Sequence, residues 1–263
     1  MKLKLIIIFF LISITAYADK PRLVFGIVPL YSASSTAEIW GEFLSEMSEN
    51  PDFSLIIRTS RKIDDFEARL FIGEYDFAFV TAKEYIMASR YPGYRPLARA
   101  DVPYLKGVII THKNSGIKNI NDLRNKQIAF SSPVEFASSQ YMRSLLNEQG
   151  INYHPAYLNS VESVIIAVKN QLYPAGAVLS GFYENDSDLL KVVSTPETET
   201  YAIIVHPRVP LPVENMFLKQ LTNFSKKNKN NGYFKKLGFS EFIPEKPAFW
   251  KNTEKLEYLF YHD

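Results

Sequence analysis

Short apolar runs alternate along the chain with stretches that carry apolar residues every three or four positions. Residues 23–28 are apolar and end at Pro29, which predicts a buried strand. The hydroxyl-rich residues 31–36 follow, and Ser35 with Glu38 matches a capping box. A helix is expected from there, with Ala37, Trp40, Leu44 and Met47 on its core face. The pattern repeats as a strand at 55–58, a helix capped by Asp64 that carries Phe66 and Leu70 and stops near Gly73, a strand at 77–80 and a helix at 82–89. Next come a strand at 108–111, a short helix at 120–124, a strand at 128–130 and a longer helix at 134–148 ended by Gly150. The last segments are a helix at 161–169, strands at 175–179, at Val192 and at 201–205, and a tail helix at 213–225.

Strands alternating with helices imply an α/β protein with largely parallel sheets covered on both faces. About ten short strands are too many for one ordinary sheet, so two lobes are expected. No Pro/Gly/Ser-rich linker separates them. The crossings are placed in continuous structure near 99–106 and 194–200. That makes the first lobe discontinuous: residues 19–102 and 198–263 form lobe 1, and residues 103–197 form lobe 2.

The first eighteen residues stand apart. Lys2 and Lys4 precede an almost wholly apolar stretch at 5–14, followed by Ala16-Tyr17-Ala18 and the polar Asp19-Lys20-Pro21. Basic start, apolar core and small-x-small site in that order read as a secretory signal cleaved after Ala18. The apolar stretch is shorter than the roughly 20 residues a membrane span needs. The net charge of +2 is carried by Lys2 and Lys4, so the exported product is formally neutral. Neutrality argues against nucleic acid as a partner, since phosphates call for a basic face. There is no cysteine, hence neither a disulfide nor a lipoprotein anchor, and a large core must stabilise the product alone. The four histidines, His112, His154, His206 and His262, show no metal spacing, and no nucleophile–base motif or phosphate loop occurs. No metal, cofactor or catalytic set is therefore expected.

Several stretches in order resemble the phosphate/phosphite/phosphonate-binding proteins of ABC importers, within the type II periplasmic-binding fold. They are Phe25-Gly26-Ile27-Val28-Pro29 with Ser32-Ala33-Ser34, Gly73-Glu74-Tyr75-Asp76-Phe77-Ala78, and Gly93-Tyr94-Arg95-Pro96-Leu97-Ala98-Arg99. Ile117-Lys118-Asn119-Ile120-Asn121-Asp122-Leu123-Arg124, Ile128-Ala129-Phe130, His206-Pro207-Arg208-Val209-Pro210 and Leu237-Gly238-Phe239 continue the series. The resemblance implies a two-lobed α/β protein whose ligand lies between two helix N-termini, one per lobe, where free N–H groups and the helix dipole favour an anion. Ser32, Ser34, Ser35 and Thr36 hold the first such position, and at least one of them is simply a cap.

At the second position the chain departs from the family. Where phosphonate binders carry Ser-Thr-Ser, this sequence has Glu135-Phe136-Ala137. Where they show Ser-His-Asp before the next helix, it has Ser160-Val161-Glu162, and Pro174 replaces an acidic residue. Ser131, Ser132, Ser138 and Ser139 remain nearby as donors, with Ser160 and Thr81 at neighbouring helix starts. Tyr31, Tyr85, Tyr104 and Phe136 are the aromatic candidates. Glu135 either faces the cleft and repels dianions or turns outward as an ordinary first-turn acid; both readings stay open.

The resemblance implies a monomeric, exported solute-binding protein that captures a small polar or anionic ligand for an ABC permease, with altered specificity. A sensor that presents its ligand state to a membrane partner such as a histidine kinase is the alternative on the same fold. An enzyme is disfavoured for want of a nucleophile, base and orienting group.

Overall fold

The computed structural model describes residues 20–102, 104–184 and 186–255. The signal segment and its cleavage site lie outside the described residues.

The elements run β1 (Arg22–Ile27), α1 (Ala33–Ser48), β2 (Ser54–Thr59), α2 (Ile63–Phe71), β3 (Phe77–Val80), α3 (Ala82–Arg90), β4 (Arg95–Ala100), β5 (Tyr104–Leu105) and β6 (Gly107–His112). They continue with β7 (Gln127–Phe130), α4 (Met142–Glu148), β8 (His154–Tyr157), α5 (Val161–Lys169), β9 (Ala175–Leu179) and β10 (Leu189–Ser194). The last are β11 (Thr198–Glu199), β12 (Ala202–Val205), α6 (Leu211–Asn228) and β13 (Phe242–Pro244). A six-stranded sheet has the order β13-β4-β12-β3-β1-β2, and a five-stranded sheet the order β10-β6-β9-β7-β8. Between them lies a two-stranded ribbon, β5 against β11. The chain passes from the larger sheet to the smaller through β5 and returns through β11. The larger sheet thus draws strands from both ends of the chain.

Both sheets are mixed, not largely parallel. In the larger, β2, β1 and β3 are parallel, while β12 runs antiparallel to β3 and β4, and β13 antiparallel to β4. In the smaller, β7 is parallel to β8 and β9, whereas β6 is antiparallel to β9 and β10. At the ribbon the chain reverses without a crossover helix, which sets β12 against β3 and β4 and β6 against β9 and β10.

The core of the larger body is aromatic. Phe25 on β1 packs against Trp40 and Phe43 of α1 and Phe217 of α6, with centroids 5.6, 5.7 and 6.2 Å apart. Phe77 stacks on Phe217 at 3.9 Å. Trp40 is buried in this core, as its place on the helical stripe predicts. In the smaller body α5 lies directly on β9 at Gly176, where a Cβ would meet Val164 and Val168 at 2.5 and 2.8 Å.

Helix starts differ from the sequence expectation. The cap of α1 is Ser32, whose Oγ accepts from the Ser35 N–H at 3.3 Å. The Ser35–Glu38 capping box does not form, because the helix starts at Ala33 and Ser35 lies inside its first turn; Glu38 pairs instead with Lys236. Helix α2 starts at Ile63 after an uncapped Lys62, which places Asp64 in the first turn and not at the cap. The long helix expected from 134 begins at Phe136, winds as a π-helix through Tyr141 and only then becomes α4. The segment at 120–124 is a 3-10 turn, Ile120–Leu123.

Candidate functional site

Helix α1 has no acidic residue in its first turn. Its free N–H groups and dipole call for negative charge. Glu162, in the first turn of α5 on the smaller body, supplies it. The Ser32 N–H donates to Glu162 Oε2 at 2.8 Å, and the Ser35 hydroxyl to Oε1 at 2.7 Å. The Glu162 N–H in turn donates to the Leu30 carbonyl at 3.2 Å. The starts of α1 and α5 therefore meet across the contact between the bodies. Burial works to raise the Glu162 pKa, but the Ser32 N–H, the Ser35 hydroxyl and nearby Lys236 outweigh it and hold the carboxyl below its ordinary value.

The helix that starts at Phe136 is capped by Glu135. Its carboxylate accepts from the Ala137 N–H at 3.1 Å, the Ser138 N–H at 2.6 Å and the Ser138 hydroxyl at 2.5 Å. Glu135 is 1 % exposed. It is turned inward. Burial raises its pKa, the Ser138 hydroxyl opposes, and Glu84 adds to the rise. The start of α3 is a capping box in which Glu84 accepts from the Thr81 N–H at 2.7 Å and from its hydroxyl. Burial raises Glu84 as well.

Thr81, Lys83, Glu135, Phe136 and Glu199 line a cavity of about 10 Å3 floored by Leu105, Leu179 and Thr198 beside the ribbon. That volume is at the lower limit for one water. Tyr201 lies nearby, fully buried, and its hydroxyl has no hydrogen-bond partner among the described residues. Burial pushes its phenol well above the usual value, with Tyr31, Glu135 and Glu84 adding to the rise.

Further contacts join the bodies around this centre. Lys83, 2 % exposed, donates to Glu67 Oε1 and to the Val134 carbonyl, both at 2.9 Å. The Ser132 hydroxyl donates to Asp64 Oδ1 at 2.8 Å. The Tyr31 ring packs on Phe182 at 5.2 Å, and its hydroxyl donates to the Lys236 carbonyl.

The fold thus gathers most of the residues singled out in the sequence. Ser32, Ser34 and Ser35 cluster at the start of α1, with Ser34 Oγ 3.1 Å from Ser32 Oγ, while Thr36 is buried within the helix. Thr81, Glu135, Phe136 and Ser138 surround the cavity and its caps. Ser131 and Ser139 are buried with no hydrogen-bond partner for their hydroxyls among the described residues. Ser160 caps α5, accepting from the Ser163 N–H at 3.1 Å. Tyr85 is not brought to the centre. It packs on Trp250 at 4.9 Å and lines a separate groove with Ile86, Ser89 and Lys251. Tyr104 sits on the ribbon and is exposed. Sequence reasoning missed Glu162, Glu84, Lys83 and Tyr201. A signal existed for Glu162: a serine-rich helix start without an acid of its own leaves donors open to an anion from elsewhere.

The sequence profile of the ABC-transporter, phosphonate, periplasmic substrate-binding proteins matches residues 25–250. The chain belongs to that family. Its sequence has no significant match among curated proteins. Among solved structures it is similar to a binding-protein component of an ABC phosphonate transporter from Pseudomonas aeruginosa, with 15 % identity, 92 % of this chain and 87 % of that one covered, and TM-score 0.76. It is similar to PhnD1 of Prochlorococcus marinus, solved with methylphosphonate, at 18 % identity, 89 % and 96 % coverage and TM-score 0.77. A third is the alkanesulfonate-binding protein SsuA of Xanthomonas axonopodis pv. citri, solved with MOPS, at 15 % identity, 93 % and 94 % coverage and TM-score 0.62. The fold is the type II periplasmic-binding fold. As a family member the chain is a periplasmic substrate-binding protein, not an enzyme, and serves an ABC importer by delivering a small molecule to its permease. Among the described residues no helix is long and apolar enough to cross a membrane, and no cluster of three or more His, Asp or Glu could hold a metal.

Proposed function

We propose that this substrate-binding protein closes two lobes, residues 19–102 with 198–263 and residues 103–197, over a solute held beside Thr81, Glu135 and Phe136. The β5–β11 ribbon serves as the hinge. A cavity of about 10 Å3 admits no solute, so loading requires the lobes to part. The protein is exported with cleavage after Ala18, acts as a monomer and has no nucleic-acid partner.

Its ligand is not a simple phosphate or phosphonate dianion. One observation carries this reading: the helix starts at Ser32 and at Phe136 both already hold carboxylates of the chain, Glu162 and Glu135. A dianion would have to displace a carboxylate from its donors or sit beside it. Two like charges about 4 Å apart cost around 4 kcal/mol at an effective dielectric of 20, roughly a thousandfold in affinity. The solute should instead carry a cationic or hydrogen-donating group, with Phe136 and Tyr31 offering ring surface. Calorimetry against phosphate, methylphosphonate and 2-aminoethylphosphonate tests this. Selective binding of the amine-bearing compound supports the reading, and micromolar or tighter binding of phosphate overturns it. Small-angle scattering with and without the solute so identified should show a radius of gyration that changes on loading; an unchanged radius at saturating solute would defeat the clamshell.

A further inference from the structure

The contact between Glu162 and the start of α1 does more than cap a helix. The two residues that grip the carboxylate, Ser32 and Ser35, belong to the larger body, and Glu162 to the smaller, 130 and 127 positions away in the sequence. Helices are ordinarily capped by neighbours in sequence. Ser32 already meets that need for the Ser35 N–H, so Glu162 is not required to start α1. Both its oxygens are engaged, one by a backbone N–H and one by a hydroxyl, which is how a helix start holds a ligand anion. The geometry is pinned further by the Glu162 N–H on the Leu30 carbonyl at 3.2 Å. Tyr31 and Phe182 close over the same edge, with ring centroids 5.2 Å apart.

We propose that Glu162 is an intramolecular ligand: it occupies the anion position of α1, holds the two bodies together in the absence of any solute, and excludes anionic solutes by competing for the same donors. The proposal rests on the reading of the chain as a two-lobed binding protein and names the residue that sets its specificity. A solute that brings its own anion must break two charge-assisted hydrogen bonds that the chain makes at no loss of translational freedom. A cationic or neutral solute leaves them intact.

The test uses the mature protein with Glu162→Ala and Glu162→Gln. Glu162 is only partly buried, so both variants should fold, and thermal unfolding checks that they do. Scattering without added solute should give a larger radius of gyration for Glu162→Ala than for the wild type. Calorimetry with methylphosphonate should show a gain on the order of a hundredfold or more in Glu162→Ala, from removal of one charge about 4 Å from the dianion. Glu162→Gln keeps the shape and loses the charge, and should show part of that gain. Equal radii for wild type and Glu162→Ala would overturn the latch, and an unchanged methylphosphonate affinity in both variants would overturn the competition. The radius comparison involves no solute, so it decides the latch even if every solute of the calorimetric panel fails to bind.

Discussion

Replacing Lys83 by methionine should destabilise the protein, and by more at alkaline than at acid pH. Lys83 is 2 % exposed and bonds to Glu67 within its own body and to the Val134 carbonyl of the other. Burial raises Glu67 from 4.5 to about 7 against the pull of Lys83, while Glu84 and Asp64 add to the rise. A carboxyl raised in the fold contributes stability that is fully present below 4.5 and is lost as pH rises through about 7. The wild type therefore carries a cost of about 3 kcal/mol at pH 8 and about 1 kcal/mol at pH 5.5. Without Lys83 the carboxyl loses its counter-charge and holds its proton to higher pH, which adds on the order of 1 kcal/mol at pH 8 and close to nothing at pH 5.5, where it already keeps its proton. To both is added about 1–3 kcal/mol for the stranded Val134 carbonyl. Urea unfolding of wild type and variant at about pH 5.5 and about pH 8 measures the difference. In the Glu67→Gln background the penalty of Lys83→Met should depend on pH less, the remainder coming from Glu84, which Lys83 also holds down. A penalty equal at the two pH values, or larger in acid, would refute the assignment of Glu67 as a carboxyl raised by burial and held down by Lys83.

Gly107→Ala should cost at least the 1–3 kcal/mol typical of overpacking, because its Cβ would lie 2.0 Å from the Ala137 carbonyl oxygen and 2.8 Å from the Ser138 Cα, backbone that has no rotamer to change. A urea midpoint unchanged from wild type would count against it. Glu135→Ser replaces two acceptor oxygens by one hydroxyl that can still cap, so it frees one of the Ala137 and Ser138 N–H groups and should tighten methylphosphonate binding by about tenfold or more in calorimetry, the worth of one hydrogen bond to a charged group. No gain would mean that these donors are out of the solute's reach. Intact-mass measurement of the exported protein should find Asp19 at its start, and a species beginning at Met1 would exclude cleavage.

The elements legible in the sequence are those whose burial writes a pattern. Strands 77–80 and 175–179 are wholly buried and read as apolar runs. The ribbon strands β5 and β11 have two residues each, too few to show a period. Edge strand β8 reads His154-Pro155-Ala156-Tyr157 and is largely exposed, so nothing apolar marks it. At the site, the hydroxyls at the start of α1 and the oddity of Glu135 could be read because both are local. The partner of Ser32 could not, since it is set by how two sheets built from distant segments come together. The unusual turn at Phe136 has a similar cause. Gly107 lets the 136–141 backbone approach β6 so closely that the helix start is shaped by the strand beneath it.

Carboxyl groups of one chemical type are driven in opposite directions within this site, and water decides which way. Glu135 receives three donors yet is raised, because it is almost wholly buried and lies close to Glu84. Glu162 receives two and is lowered, because part of it still meets solvent and burial is outweighed. Glu162 therefore opposes a dianion as a full charge, whereas Glu135, inclined to keep its proton, opposes it chiefly by holding its donors. The two effects separate by ionic strength. A part-exposed charge is screened, with a Debye length near 10 Å at about 0.1 M salt and near 3 Å at about 1 M. The methylphosphonate affinity gained through Glu162→Gln should shrink as salt is raised over that range. The gain from Glu135→Ser should change far less, since freeing a donor in a water-poor cavity involves little that ions can screen. If both gains fell together with salt, Glu135 would be ionised in the fold and the burial argument for it would be wrong.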